Sequence, residues 1–475
     1  MLGGTGKHRL LMGPSLGSND CMSFIHRDGT IDSSTSSILR VVIPLVLSAF
    51  SENLMFLIDR VFLAYYSVDA MNAAMLGGSL AGLYTLMLMA VAGTTEVFVG
   101  QYNGEGRRDK VALPVWQMIY FSLFSLVFVV PIGYFTEHLN LIPECYKSEG
   151  IPYQRLITYF CWLPALTAAL AGFFIGRGKT KIITAMVFAG TFTNIVLDYV
   201  LVLGYRDIIP ALGCRGAAIG TIVAEAVQIA ILAVGFWSER NRDTYGTAKN
   251  IGFDASLFGK CLKIGAPMAI CKCVEMLAWY LVCVALSHVS KDLATTHGMA
   301  MTVYVSLAFV CDGLSKGAAT LSANFIGQKD LNAVRKTFKK LTIITLIICC
   351  SILLPLLAFP GFFFGLLNTL HEDISALYPS MTIIFRIMFV GIAAEAFGAI
   401  AWGILISGGD VKYPIIANLL SIWGITVLPV GVLFFTDRLQ SAIVVQLFVA
   451  VNMVVFAAII YRRYRGLNWY KSLTD

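Results

Sequence analysis

Four polar side chains with cation-binding chemistry fall inside long apolar stretches of this sequence. Asp59 lies in one stretch, Asn194 and Asp198 lie one helical turn apart in another, and Thr221 lies in a third. Asp59, Asp198 and Thr221 are each about seven residues from the same end of their stretches, so three helices would bring oxygen atoms to one depth, with Asn194 one turn further in on the face of Asp198. Carboxylate, amide and hydroxyl oxygens are ligands of hard cations, and a buried carboxylate can carry a proton instead. These residues predict a site for Na⁺ or H⁺; alternatively, Asn194 and Asp198 only hydrogen-bond to backbone at a bend.

A second set of acids lies in the other half of the chain. Glu275 and Glu395 are both near the middle of apolar stretches, where ionisable groups are costly and therefore candidates for function. They are predicted to bind substrate or to couple its movement to protons. The alternative is that Glu275 only neutralises Lys272, one turn away. Weaker candidates are three further acids: Glu52, Glu225 and Asp312, the last of which could simply neutralise Lys316.

The apolar stretches that hold these residues dominate the composition. Hydrophobic residues make up 57% of the 475 positions and charged residues only 13%, whereas soluble domains carry roughly 25% charged residues. Many stretches approach the ~20 residues that a helix needs to cross a bilayer. The sequence therefore predicts an all-α membrane protein with twelve transmembrane helices, at residues 38–66, 71–101, 110–136, 153–176, 181–205, 214–237, 258–288, 293–327, 335–365, 376–407, 412–435 and 439–461.

The chain also repeats itself. At a shift of 223 positions, Pro44 matches Pro267, Glu52 matches Glu275 and Gly104 matches Gly327, and further on the shift becomes 231. This repeat predicts two pseudo-symmetric six-helix lobes in the same orientation, with a substrate cleft between them. The predicted organisation is an N-terminal tail (1–36), an N-lobe (37–237), a linker (238–257), a C-lobe (258–461) and a C-terminal tail (462–475).

The basic residues are distributed unevenly along this topology. The formal net charge is +7, and most Lys and Arg residues fall in the two tails, the linker and the loops on the same side of the bilayer. By the positive-inside rule, both termini and the linker are expected in the cytoplasm, with the protein in the plasma (inner) membrane. The charge thus reflects topology, and no nucleic-acid partner is expected. The expected partners are the lipid bilayer and small molecules, and the expected functional unit is a monomer.

No motif for nucleotide binding or catalysis accompanies these features. The segment Gly4-Thr5-Gly6-Lys7 lacks the first Gly and the Ser/Thr of a phosphate loop, and neither His-Glu-x-x-His nor a complete Gly-x-Gly-Asp motif is present. An enzyme is therefore not expected, and neither is a cofactor other than a coupling ion. Uphill transport would have to be driven by an ion gradient.

The chain resembles the MATE (multidrug and toxic compound extrusion) family over about residues 38–465. The resemblance rests on Pro44 and five motifs: Ile58-Asp-Arg-Val-Phe62, Gln101-Tyr-Asn-Gly-Glu-Gly106, Gly176-Arg-Gly-Lys-Thr180, Asn194-Ile-Val-Leu-Asp-Tyr199 and Leu212–Thr221. It implies a multidrug antiporter working by alternating access on organic cations. It also implies a cation site at Asp59, Asn194, Asp198 and Thr221, and acidic positions at Glu275 and Glu395.

Two features leave alternatives open within this resemblance. Relatives place a further Asn in span 4, where this chain has Thr167-Ala-Ala169, so one cation ligand is expected to be absent. The superfamily also includes flippases for lipid-linked oligosaccharide or polysaccharide precursors. Such a protein would need a cationic cleft. The residues that could provide it are Lys272, Lys316 and Arg386.

Overall fold

Twelve long helices account for nearly all of the computed structural model, which describes residues 31–138, 142, 144–206, 208–362, 364, 377–466, 469 and 473. We number them α1 (Thr35–Tyr66), α2 (Val68–Ala92, continued by Thr95–Gly104), α3 (Leu113–His138), α4 (Lys147–Phe160 and Trp162–Ile175), α5 (Lys181–Leu201), α6 (Cys214–Phe236), α7 (Ala255–Val289), α8 (Lys291–Gly327), α9 (Leu331–Ala358), α10 (Tyr378–Ser407), α11 (Lys412–Phe435) and α12 (Ala442–Arg465). The predicted tail over residues 1–30 lies outside the described residues.

Eleven of these helices are long and apolar enough to cross a membrane by length and composition. The remaining one, α9, matches the predicted span at 335–365 but begins with a basic turn that holds Arg335, Lys336, Lys339 and Lys340. Its apolar part follows from Leu341. The all-α class and the twelve-helix, two-lobe layout are therefore confirmed.

Helices α1 and α5 lie side by side in the N-lobe and are joined along their length by hydroxyl groups. Pro44 has no N–H to donate to the Arg40 carbonyl one turn earlier, and the Thr180 hydroxyl donates to that carbonyl at 3.0 Å. Thr184 donates to the Pro44 carbonyl at 3.0 Å. Further along, the Ser51 and Thr191 hydroxyls are 2.9 Å apart. Every pair is separated by 140 residues, so the helices run parallel in a fixed register that brings Asp59 level with Asp198.

Helix α6 approaches α5 closely because two glycines on α6 face it. A Cβ atom added at Gly216 would lie 2.6 Å from the Leu201 carbonyl oxygen, and one added at Gly220 would lie 2.4 Å from Asp198 Oδ1. Real Cβ atoms do not come this close to other atoms, so α6 could not pack here with larger residues. This contact places Thr221, the residue after Gly220, beside the polar face of α5.

The two lobes meet tightly at the end of the molecule where α1 begins and α12 ends, which we call the termini end. A Cβ at Gly104 of α2 would lie 2.0 Å from the Asn324 carbonyl oxygen, and one at Gly327 of α8 would lie 2.1 Å from the Gln101 carbonyl oxygen. Because Gly104 and Asn324 become Gly327 and Gln101 when the repeat halves are exchanged, this is one contact made twice around a pseudo-twofold axis. The Gln101 amide also donates across the interface to the Ser407 carbonyl at 2.8 Å.

The closure continues along α1 and α8 towards the middle of the bundle. A Cβ at Gly313 would lie 2.5 Å from Val46 Cα, and the rings of Phe50 and Phe309 meet edge to face with centroids 5.2 Å apart. Segments near the chain ends reinforce it, since Gln328 donates to the Ile31 carbonyl at 3.2 Å. Asp59 lies more than two helical turns after Phe50 on α1. It is therefore past the region where the two lobes are in contact, in the half of the bundle away from the termini end.

Candidate cation site and substrate cleft

The four N-lobe residues predicted to form a cation site come together in the structure. Asn194 and Asp198 are fully buried and Asp59 is 8% exposed, while Thr221 is half-buried. Asp59 lies beside the side chains of Asp198, Asn194 and Thr221. The register of α1 on α5 and the close approach of α6 together produce this arrangement, so three helices contribute to one cluster.

The oxygens of this cluster are buried without hydrogen-bond partners. Within the described part of the chain, Asp59 Oδ1, Asn194 Oδ1 and both carboxylate oxygens of Asp198 are buried without a hydrogen-bond partner, and so is the Asn194 amide nitrogen Nδ2. Thr221 donates its own hydroxyl proton to the Ala217 carbonyl at 3.0 Å, which leaves its oxygen free to accept or coordinate. Buried polar atoms are almost always satisfied, and leaving them unpaired is costly. A set of four such oxygens fits a hard cation.

The alternative prediction for Asn194 and Asp198, that they hydrogen-bond to neighbouring backbone at a bend, is not what the described residues show. Neither side chain makes a bond to a backbone group, and α5 is continuous from Lys181 to Leu201.

Sequence reasoning missed two residues that shape this cluster. Gly220 leaves the space that the Asp198 carboxylate fills, and its spacing of four from Gly216 was the available signal. Tyr153 of α4 lies close to both Asp59 and Asp198, and no sequence signal distinguished it from a packing tyrosine. Thr167, in the span 4 segment where relatives place an Asn, has a different role here. Its hydroxyl donates to Glu225 Oε2 at 2.9 Å. Span 4 therefore reaches Glu225 through Thr167 and the cation cluster through Tyr153.

The two C-lobe acids have different partners. Lys272 donates to Glu275 Oε2 at 3.1 Å, so the ion pair that the sequence offered as an alternative role for Glu275 is present. Glu395 of α10 accepts a hydrogen bond from the Tyr304 hydroxyl of α8, which lies 2.9 Å from both of its carboxylate oxygens. Glu275 and Glu395 also interact electrostatically with each other, so the structure brings these two predicted residues into one region.

The charges of α8 connect this region to the N-lobe. No carboxylate of the described residues lies within 4.0 Å of Lys316, so the suggested neutralisation of Lys316 by Asp312 is not a direct ion pair. The strongest electrostatic neighbour of Lys316 is Glu52 of α1, followed by Asp312 and Glu96. Lys316 and Asp312 are both exposed, which fits a water-accessible cleft between the lobes. Acids outnumber lysines along this cleft, so its charge favours cations.

Arg386, the third cation considered for a lipid-precursor site, is not part of the cleft. It precedes Glu395 on α10 by nine residues, a rotation of about 180° around the helix axis. Glu395 faces α8 through Tyr304, so Arg386 points to the opposite side, where its neighbours are Ile383, Ile387 and Val390.

Comparisons with known proteins agree with this architecture. The MatE family model matches residues 44–200 and 267–433, two segments whose starts are 223 residues apart, as in the internal repeat. The "Probable multidrug resistance protein NorM" of Pasteurella multocida is 25% identical over 326 residues, or 66% of this chain and 68% of that protein. A protein of the same name from Thermotoga maritima is 24% identical over 400 residues, covering 81% and 83% of the two chains.

The fold is shared with a solved multidrug resistance transporter of the MATE family in an outward-facing conformation. The TM-score is 0.82 at 14% sequence identity, with 94% of this chain and 98% of the other covered. The family match spans most of both lobes and contains Asp59, Asn194 and Asp198 of the N-lobe and Glu275 and Glu395 of the C-lobe. The chain is therefore a multi-pass membrane protein that belongs to the MATE family of multidrug transporters.

Proposed function

We propose that this protein is a Na⁺-coupled antiporter that exports organic cations. The observation that carries the proposal is the N-lobe cluster of four buried, unpartnered oxygens on Asp59, Asn194 and Asp198. The relatives are named multidrug resistance proteins, which supports drug-like small molecules as the exported substrates.

The number of unpartnered oxygens favours Na⁺ over H⁺ as the coupling ion. A proton shared between Asp59 and Asp198 would form one hydrogen bond and satisfy one oxygen of each carboxylate. It would leave Asn194 Oδ1 and the second oxygen of Asp198 buried and unpaired, each at a cost of about 1–3 kcal/mol. A hard cation takes oxygens from all three side chains at once. Protons are the alternative coupling ion, and efflux driven by separate Na⁺ and pH gradients distinguishes the two.

The cleft acids support a cationic substrate. Glu52 comes from the N-lobe, and Glu275 and Glu395 come from the C-lobe. Each lies in or beside the cleft between the lobes, which is closed at the termini end. Ion binding drives export only if the ion binds one conformation of the lobes more tightly than the other. The Asp59–Asp198 cluster meets this condition if opening at the termini end changes the register of α1 on α5.

Transport of a lipid-linked saccharide precursor fits the cleft less well. A pyrophosphate needs unpaired cations, whereas Lys272 is paired with Glu275 at 3.1 Å and Lys316 faces Glu52. Arg386 lies on the other side of α10. The charges available in the cleft thus favour an organic cation.

The end of the molecule that carries both termini is proposed to face the cytoplasm, in the inner membrane, with the monomer as the functional unit. The basic bias of the tails and linker supports this orientation. Asp243 is exposed in the linker helix Glu239–Tyr245. With the eleven native cysteines replaced by serine, Asp243→Cys should react with an impermeant maleimide only after cells are permeabilised. Labelling of intact cells at this position would reverse the orientation.

Dye efflux from proteoliposomes tests the coupling. A Na⁺ gradient imposed at equal pH on both sides should drive export of a fluorescent organic cation, and a pH gradient imposed without Na⁺ should not. Export driven only by the pH gradient would assign coupling to protons, and export of neither kind with intact protein would contradict the antiporter proposal.

A further inference from the structure

A groove on the outer face of the C-lobe, between α10 and α12, lies away from the cleft. It encloses about 400 Å³ and is lined by Ile383, Arg386, Ile387, Val390, Leu447, Ala450, Val451, Val454 and Val455. Apart from Arg386, every one of these side chains is aliphatic. Most of these aliphatic side chains are exposed or half-buried, with Val390 at 54% and Leu447 at 48%, whereas Ala450 is buried. Exposed branched aliphatic residues on a membrane-spanning helix face lipid.

Arg386 is the only charged residue of the groove, and nothing in the described protein neutralises it. Its guanidinium group makes no hydrogen bond, ion pair or ring contact with any described residue. A guanidinium group is always ionised and carries five donors that match a phosphate. An unpaired charge is costly within the membrane, so a ligand or a headgroup must neutralise it.

The depth of Arg386 agrees with a headgroup partner. It lies eight residues after Tyr378, the first residue of α10, which is about 12 Å along the helix axis. The 30-residue helix is about 45 Å long, and the hydrocarbon core is about 30 Å thick. With the hydrocarbon core centred on an untilted α10, the backbone of Arg386 lies about 5 Å inside the core, and its long side chain reaches the level of lipid phosphates.

We propose that the groove between α10 and α12 is a binding site for one anionic phospholipid in the leaflet opposite the chain termini. The lipid phosphate binds Arg386 and an acyl chain fills the aliphatic groove. Aliphatic residues alone would accept any acyl chain, whereas a single guanidinium group adds a preference for the phosphate of an anionic headgroup. The site is separate from the cleft and does not depend on which ion or substrate is transported.

Native mass spectrometry of the full-length protein, extracted gently from nanodiscs, tests the proposal. The nanodiscs contain equal amounts of phosphatidylglycerol and phosphatidylcholine with identical acyl chains. The wild-type monomer should retain one phospholipid, with about a tenfold preference for phosphatidylglycerol, because both lipids offer a phosphate to Arg386 but the choline cation leaves the phosphatidylcholine headgroup without net charge. Arg386→Gln should retain a lipid without that preference, and Arg386→Lys should recover part of it. Arg438→Gln removes a charge from the same lobe outside the groove and should behave as wild type.

Val451→Trp would fill the groove and should abolish retention of either lipid, with thermal melting used to confirm that the variant is folded. An unchanged phosphatidylglycerol preference in Arg386→Gln would mean nonspecific annular lipid and would overturn the site. Retention by folded Val451→Trp would place the lipid elsewhere. Loss of the retained lipid upon formation of a dimer would make the groove an interface between two copies of the chain, which also contradicts the proposal.

Discussion

The seam between α1 and α5 in the N-lobe and the seam between α7 and α11 in the C-lobe occupy equivalent places in the internal repeat, yet their chemistry is opposite. The first seam is joined by hydroxyl groups and ends in the buried carboxylates. At the positions 223 or 231 residues later, the second seam has apolar residues: Val274 for Ser51, Val282 for Asp59, Val411 for Thr180, Ile415 for Thr184, Ile422 for Thr191, Ile425 for Asn194 and Pro429 for Asp198.

The backbones of the two seams differ as well. Helix α5 is regular throughout, whereas α11 contains a π-helical segment at Ile422–Val427, which starts at the position equivalent to Thr191. The C-lobe acids Glu275, Asp312 and Glu395 lie on α7, α8 and α10, whereas Arg386 of α10 faces the outer groove. Both lobes therefore have the same fold, but among the described residues only the N-lobe has a cluster of buried carboxylates without partners. We therefore propose that the N-lobe binds the ion and that the C-lobe contacts the substrate.

Loss of the N-lobe carboxylates should have the largest effect. Asp59→Asn and Asp198→Asn each remove one charge from the cluster while keeping the size of the side chain. Gradient-driven efflux should fall to the level of empty liposomes in both variants, with normal membrane insertion. Efflux of a fluorescent cation from vesicles measures this, and Asp69→Asn, an exposed acid in the same lobe, is the control. Wild-type rates in both variants would remove the N-lobe cluster from the mechanism.

The corresponding C-lobe change should affect substrate affinity. Glu275→Gln should weaken binding of a fluorescent organic cation by about 1.5–3 kcal/mol, the contribution of a hydrogen bond to a charged group. Stability should change little, because the Lys272 partner has a side chain that is 48% exposed and such ion pairs contribute about 0–1 kcal/mol. Fluorescence titration of purified protein measures the affinity.

The opposite pattern would assign Glu275 a structural role. In that case Glu275→Gln would fold poorly, and Lys272→Met would restore the fold in the double variant. Unchanged affinity in a well-folded Glu275→Gln protein would remove Glu275 from the substrate site.

A smaller effect is expected from the glycine that makes room for Asp198. Gly220→Ala places a Cβ where Asp198 Oδ1 lies at 2.4 Å, so the carboxylate must move and lose its alignment with Asp59. We expect about a tenfold weaker apparent affinity for the coupling ion, equivalent to ~1.4 kcal/mol. The ion dependence of efflux measures it. Gly431→Ala in α11 is a matched control, because a Cβ there meets no atom within 4 Å; equal effects of the two changes would contradict this role for Gly220.

The smallest effect concerns the hydroxyl groups along the N-lobe seam. Thr180→Val gives this position the residue found at the equivalent C-lobe position and removes the hydrogen bond from the Thr180 hydroxyl to the Arg40 carbonyl. Stability should fall by about 1 kcal/mol, seen as a lower melting temperature in detergent. Thr193→Val is the control, since the Thr193 hydroxyl bonds only to the Ala189 carbonyl of its own helix. No difference between the two variants would mean that the seam does not depend on this bond.

The features that depend on hydrophobic runs and on single residues were predictable from the sequence. The twelve spans follow from length and apolarity, and the common depth of Asp59, Asn194, Asp198 and Thr221 follows from counting residues in each span. The repeat predicted the two-lobe layout. Pro44 was visible as part of a motif, although its effect on the Arg40 carbonyl was not.

Features that arise from contacts between helices could not be derived in this way. The register of α1 on α5, the approach of Gly220 to Asp198 and the orientation of Lys316 towards Glu52 depend on which helices pack together and at what angle. Sequence spacing within a helix fixes none of these. It also could not place Arg386, which was considered for the cleft but faces the groove between α10 and α12.

Direct binding of ²²Na⁺ to the purified protein tests the division of roles between the lobes most directly. We expect one Na⁺ bound per wild-type chain at saturation, loss of binding in Asp198→Asn, and unchanged binding in Glu275→Gln. Saturable Na⁺ binding that survives Asp198→Asn, or that disappears in a well-folded Glu275→Gln protein, would contradict the assignment of the ion site to the N-lobe.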